Sequence, residues 1–253
     1  MNTWKVVKTG TVPKIKNPIL LEGLPGIGNV GKVAIDFIVE ELDAKKIYEL
    51  TSHYMPHSVF VNEQNLIELP GIAVYHKKLG KRDILFVAGD AQPIDEQASY
   101  AFSETVLEII QSFKGTELIT LGGIGLPAVP KKPKVYITGT EKAYVKTFPH
   151  TVSKIYGVVG PILGVTGVLL GQAHRRGILG AGLLTQTFAH PAYLGIKGAK
   201  ETLRVLNKKF ELGVDLAKLS DEIDEIEKEV LARSKRIADS SSKTRPTEPN
   251  YFG

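Results

Sequence analysis

The chain has 253 residues, 43% of them hydrophobic and 23% charged, which suits one large folded domain and not a disordered polyelectrolyte. It contains no cysteine, so disulfide frameworks, thiol nucleophiles and thiolate metal sites are excluded, and a reducing, cytoplasmic setting is expected. A net charge of +5 is too mild to argue for nucleic acid alone, and 1–11 lacks the apolar run of a signal peptide. Two methionines, few Asn and Gln, and abundant Lys and Glu fit a thermophile's avoidance of labile side chains.

In chain order, Trp4 to Val7 reads as a short edge strand and Pro18 to Glu22 as a buried one. Between that strand and the next helix lies Leu24-Pro25-Gly26-Ile27-Gly28-Asn29-Val30-Gly31-Lys32. Apolar residues at Val30, Val33, Ala34, Phe37, Ile38 and Leu42 have 3.6-residue spacing, so the glycine turn opens a helix running to about Leu42. Gly26-x-Gly28-x-x-Gly31 matches a dinucleotide fingerprint by letter, with Glu49 near the place of its ribose-binding acid. Gly26 to Lys32 also matches most of a P-loop, but Val33 stands where a magnesium-binding hydroxyl is needed. Pro25 removes an N–H from the would-be phosphate nest. The favoured reading is therefore structural: Gly26, Gly28 and Gly31 let strand and helix approach closely.

Lys46 to Thr51 follows as a strand, then a loop through His53 and His57. Those two histidines are four apart, but Pro56 between them argues against a helical metal pair, and no metal site is expected. Val59 to Val61 is extended. Leu66 to Leu69 and Ile72 to His76 are expected to pair with each other through Pro70-Gly71. Lys77-Lys78-Leu79-Gly80-Lys81-Arg82 is a polar turn into the strand Ile84 to Ala88. Its cations have no interleaved aromatics for stacking bases, so a solvated tip is expected rather than a nucleic-acid patch. Asp90 follows that strand's carboxyl end, where ligands of open α/β sheets sit, and is the best single candidate for an acid or base. With no partner side chain evident nearby, capping or loop pinning is the better expectation.

A helix from about Asp95 to Phe113 shows a core stripe at Ala98, Phe102, Val106, Ile109 and Ile110. Glu117 to Leu121 and Val135 to Thr138 are strands, with an exposed lysine loop at 131–134, and Glu141 to Thr147 is a short helix. Tyr156 to Ala173 is uncharged and as long as a membrane span, yet it is too glycine-dense for one. A short strand and a helix from Pro161 are expected instead. Gly160, Gly164, Gly167 and Gly171 would then line one face for close approach to a neighbour. Ile178 to Thr185 is a strand, Gly198 to Phe210 a helix and Val214 to Ile237 the last helix. Leu219, Ile223, Ile226 and Val230 form a seam at three- and four-residue steps, able to pack on the domain or on another subunit. Beyond Ala238 the chain is polar and proline-bearing, expected to be disordered, yet it ends in Tyr251-Phe252-Gly253. Two aromatics beside a terminal carboxylate are either incidental or an anchor for a partner's pocket. The implied organisation is an α/β domain over 1–212, a C-terminal helix over 213–238 and a tail over 239–253, with a sheet at least partly parallel.

The glycine turn, Gly89-Asp90-Ala91-Gln92-Pro93, Thr120-Leu121-Gly122-Gly123, Gly160 to Gly171 and the run Gly198 to Leu219, in this order, resemble the proteasome assembly chaperone 2 family. In particular the chain resembles its archaeal homologues, over roughly Pro18 to Leu231. The resemblance implies a three-layer, phosphorylase-like α/β fold, with a central, mostly parallel or mixed sheet flanked by helices. It also implies homo-oligomers, tetramer or pentamer, that bind the 20S proteasome α-ring rather than perform chemistry. No cofactor, nucleic acid or membrane is expected, and a related subunit is a further partner consistent with the family. Proteasome activators of several kinds end in hydrophobic–Tyr–any residue. On that pattern Tyr251 takes the hydrophobic place, Phe252 the tyrosine place, and Gly253 supplies the carboxylate. The other reading is a nucleotide- or nucleoside-handling enzyme using Gly26 to Lys32 with Asp90.

Overall fold

The computed structural model describes residues 4–157, 160–190 and 193–219. Its strands are β1 (Lys5–Lys8), β2 (Ile19–Gly23), β3 (Lys45–Thr51), β4 (Phe60–Val61), β5 (Ile67–Glu68), β6 (Ile72–Leu79), β7 (Arg82–Gly89), β8 (Glu117–Leu126), β9 (Val135–Gly139) and β10 (Leu179–Phe188). The helices are α1 (Val30–Glu41), α2 (Glu96–Ser112), α3 (Lys142–Val145), α4 (Gly164–Arg175) and α5 (Ile196–Phe210), with a 3-10 turn at Ile27–Asn29 before α1. The chain divides into two compact units, 1–216 and 217–253, and the sheet belongs to the first.

Eight strands form one mixed sheet in the order β1-β3-β6-β7-β2-β8-β10-β9. Its centre, β7-β2-β8-β10, is parallel, and the flanking pairs are antiparallel. Parallel strands must be covered on both faces, and β2 is buried at all five positions. Alternation sends Leu20 toward the layer containing α2 and α4, where it joins Phe102, Val106, Ile110, Val165 and Leu169 in one apolar cluster. On the opposite layer α1 packs with α5 against β2, β8 and β10. The α/β fold with a mixed sheet flanked by helices is thus as expected.

Every residue of the expected α2 stripe is buried, and Asp95 caps that helix by accepting from the Ala98 N–H at 2.7 Å. Four expectations fail. β5 does not pair with β6; it pairs with β4, while β6 is flanked by β3 and β7. The reason is a side-chain turn: Asn62 Oδ1 accepts from Gln64 N at 3.0 Å and Leu66 N at 2.9 Å, and Asn65 takes φ 58°. The resulting two-stranded hairpin stands apart from the sheet and exposes Val61, Leu66, Ile67 and Leu69. Secondly, α4 starts at Gly164 and not at Pro161, while the strand expected ahead of it falls partly on 158–159, outside the described residues. Thirdly, the four glycines there do not form a packing face. A Cβ on Gly160 or Gly171 would meet nothing, whereas one on Gly167 would strike the Ile162 carbonyl. Lastly, the final helix does not start at Val214: 211–215 is irregular.

Candidate functional site

The carboxyl ends of β7, β2, β8 and β10 meet along one edge of the sheet, where β2 leaves for α1. A crevice of about 450 Å³ opens there, lined by the glycine turn, by 121–125 of β8 and by 160–164 before α4. It is the position at which open α/β sheets bind ligands. Among the described residues its walls carry no charged side chain, and the polar ones are Gln92 and Thr166.

The glycine turn is pressed into its surroundings. Gly31 brings α1 so close to β8 that a Cβ would lie 2.6 Å from the Leu121 carbonyl oxygen. Gly28 adopts φ +61°, and a side chain there would overlap Thr187. The Gly195 N–H donates to the Gly28 carbonyl at 2.7 Å, tying the entry of α5 to this turn. Gly26 is different: its φ of −162° suits any residue, and a Cβ would find only Gln92 Nε2 at 3.8 Å.

Lys32 and Asp90, 58 residues apart, do come together, but as mutual neighbours. The Lys32 ammonium lies 2.9 Å from Asp36, 3.1 Å from the Gly89 carbonyl and 3.4 Å from Asp90. Three acceptors match its three N–H donors, so a phosphate would have to displace one. Burial works to lower the lysine's pKa, but the hydrogen bonds and charges of Asp36 and Asp90 outweigh it and hold the group above its usual value. Asp36 is itself raised, by burial first, against the pull of Lys32. The other Asp90 oxygen accepts from the Gly71 N–H at 3.2 Å, so this carboxylate pins the β5–β6 connection to the end of β7. Neither Lys32 nor Asp90 lines the crevice.

Sequence reasoning passed over Gln92. Its Nε2 donates to the Pro25 carbonyl at 2.5 Å, and its Oε1 accepts from the Val165 N–H at 3.1 Å. One amide thereby clasps the glycine turn to the first turn of α4, which has no capping side chain of its own. Its place in Gly89-Asp90-Ala91-Gln92-Pro93 was visible; its reach of 73 residues was not. Glu22 was also missed. Fully buried in β2, it accepts from the Leu24 N–H at 3.0 Å, while its Oε2 has no partner among the described residues. Burial pushes its pKa up to about 8, so the folded chain holds it protonated at neutral pH.

His53 and His57 lie in the loop after β3, and the described residues contain no cluster of three potential metal ligands. No helix among the described residues is long and apolar enough to cross a membrane. Leu219 is buried; Ile223, Ile226, Val230, Tyr251, Phe252 and Gly253 lie outside the described residues.

The crevice lies at the carboxyl edge of a mixed three-layer α/β body and is walled mostly by glycine and aliphatic groups, while Lys32 and Asp90, outside it, are engaged with each other. The family model for the PAC2 family matches residues 20–232, and the chain belongs to that family. It is 31% identical to Pyrococcus furiosus PbaB, an archaeal proteasome activator, whose crystal structure superposes with a TM-score of 0.83 over 93% of this chain and 100% of that one. Pyrococcus furiosus PbaA, an archaeal homologue of proteasome-assembly chaperone, shares the fold with a TM-score of 0.75 at 24% identity, over 95% of each chain. A Methanocaldococcus jannaschii protein is 29% identical over 187 residues, covering 74% of this chain and 71% of that one.

Proposed function

We propose that this protein is a non-enzymatic, homo-oligomeric proteasome-binding factor of the cytoplasm. It acts as an assembly chaperone or activator that docks its C-terminal tails into the α-ring of the 20S proteasome. The observation that carries this reading is the 31% identity to the Pyrococcus furiosus proteasome activator through 93% of the chain. Tyr251 and Phe252 fill the aromatic part of the pocket, and the Gly253 carboxylate supplies a charged end for capture by a cation or by backbone N–H groups. The 15 residues after Ala238 span up to roughly 50 Å when extended, enough to reach a pocket from a body held above the ring. Phe252 has no hydroxyl where activator tails carry tyrosine, which removes a hydrogen bond of about 0.5–1.5 kcal/mol. One tail then binds weakly, and several tails on one oligomer recover affinity through effective concentration. The seam at Leu219, Ile223, Ile226 and Val230 is the proposed contact between copies.

The test is a peptidase assay of 20S proteasome with the full-length protein and with a form lacking Asn250 to Gly253, beside a pull-down and a sedimentation measurement. Stimulation and capture by the full-length protein alone, with equal oligomer mass for both forms, supports the proposal. Equal capture by both forms removes the tail from it.

A further inference from the structure

A second cleft lies at the opposite edge of the sheet, where β2 and β7 begin, with a volume of about 940 Å³. Its walls come from three distant stretches: Lys16 and Asn17 before β2, 78–83 across the β6–β7 turn, and 209–211 at the end of α5. Five cations face it, Lys16, Lys78, Lys81, Arg82 and Lys209, against two carboxylates, Asp83 and Glu211. Asp83 is already committed, for its Oδ1 lies 2.8 Å from His76 Nε2 and its Oδ2 accepts from the Lys16 N–H at 3.1 Å. Glu211 is an exposed, left-handed residue ending α5. Among the described residues none of the five cations forms an ion pair with a carboxylate.

Lys209 and Arg82 are both set against Phe210. The Lys209 ammonium donates to Thr147 Oγ1 at 2.6 Å and stands over Phe148, Tyr144 and Phe210, at 4.9, 5.5 and 5.9 Å from the ring centroids. The Arg82 guanidinium lies 5.7 Å from the same Phe210 ring. Two cations thus share one aromatic side chain. Burial draws the Lys209 pKa down; Glu117 pushes back and the Arg82 charge adds to the lowering. Lys16, Lys78, Lys81 and Arg82 complete the rim with exposed side chains. The lysines of the β6–β7 turn, which by sequence are a solvated tip, are here gathered with cations 62 and 127 positions away, taking Lys16–Lys78 and Arg82–Lys209 as the spans.

We propose that this cleft binds a short chain of phosphates, as a free polyphosphate or the triphosphate of a nucleotide. A concave site of this volume with several unpaired cations on separate elements suits one compact ligand of multiple charge, since each phosphate engages a different wall. Arg82 supplies the planar fork and the lysines supply mobile point charges. The Phe210 ring is buried and has the Arg82 and Lys209 cations against it, so it is not open for stacking a base. Recognition therefore rests on the phosphates.

Calorimetric titration of the full chain with sodium tripolyphosphate, ATP, orthophosphate and poly-glutamate, at low and at physiological ionic strength, tests the proposal. Saturable tripolyphosphate binding that weakens with salt is expected, with a Kd raised about tenfold or more in Lys78→Ala/Lys81→Ala, whose lysines are exposed. Arg82→Gln should behave likewise, and both variants should melt as the parent does. Equal affinity for ATP marks nucleoside triphosphates as a source, and preference for tripolyphosphate marks free phosphate chains. Absence of saturable binding overturns the proposal, as does an unchanged Kd in both variants, an orthophosphate affinity equal to tripolyphosphate, or equally tight poly-glutamate.

Discussion

Replacing Glu22 by Gln should stabilise this protein at neutral pH. The side chain is fully buried at the centre of the parallel sheet, and burial raises its pKa from an ordinary 4.5 to about 8. The folded state therefore binds the proton more tightly than the unfolded chain does. Such a raised acid contributes its full stability below pH 4.5, and that contribution is lost as pH climbs toward 8. At pH 7 the unfolded chain has ionised and the folded chain has not. The interval of about 2.5 pH units, at about 1.4 kcal/mol per unit, sets the cost of keeping the proton near 3 kcal/mol. Glutamine has the shape of the neutral acid, keeps an oxygen to accept from the Leu24 N–H, and has no proton to retain. Urea unfolding of parent and Glu22→Gln at pH 5, 6, 7 and 8 reads this directly. The parent should lose stability across the series, and the difference between the two proteins should widen with pH toward roughly 3 kcal/mol at pH 7. Parallel profiles, or a variant less stable at every pH, would refute the assignment of a protonated Glu22.

Gln92→Ala opens both ends of the clasp between Pro25 and Val165 and should cost about 1–3 kcal/mol, a fall in Tm of about 2–4 °C per kcal/mol for a body of this size. Scanning calorimetry checks it, and an unchanged Tm would mean water replaces the amide at no cost. Asp90→Asn leaves Lys32 with Asp36 and the Gly89 carbonyl, so any loss should stay within about 1 kcal/mol, with no effect on 20S stimulation. Loss of stimulation would return Asp90 to a functional role. Phe252→Tyr restores the hydroxyl of activator tails and should tighten 20S binding about two- to tenfold in a surface-binding assay; weaker binding would argue against a shared pocket.

The crevice with its glycine turn was partly legible and partly not. Gly28 and Gly31 announced a tight strand-to-helix connection by their spacing alone. That Gly31 backs onto Leu121 and Gly28 onto Thr187 depends on strands brought in from β8 and β10. Asp90 attracted notice through its position after β7, a local property, whereas its partners lie at Lys32 and Gly71, beyond the reach of any local pattern. Asn62, which closes the β4–β5 hairpin, has a local signal in the Asn-x-x-Asn run, whereas the expected pairing rested on Pro70-Gly71.

Helices and strands were determined by the sequence itself, because burial on one face imprints a period of 3.6 or 2 on neighbouring residues. The α2 stripe and the apolar run Ile84 to Ala88 of β7 are examples, and the alternation of strands with helices already implied a sheet at least partly parallel. Strand order, the pairing of β5 and the convergence of Lys16, Arg82 and Lys209 were decided only by the tertiary structure. Each depends on which distant backbone wins a strand's free edge or which distant side chain shares a wall. That competition is settled by packing the whole sheet at once, so it leaves no periodic mark on any one stretch of chain.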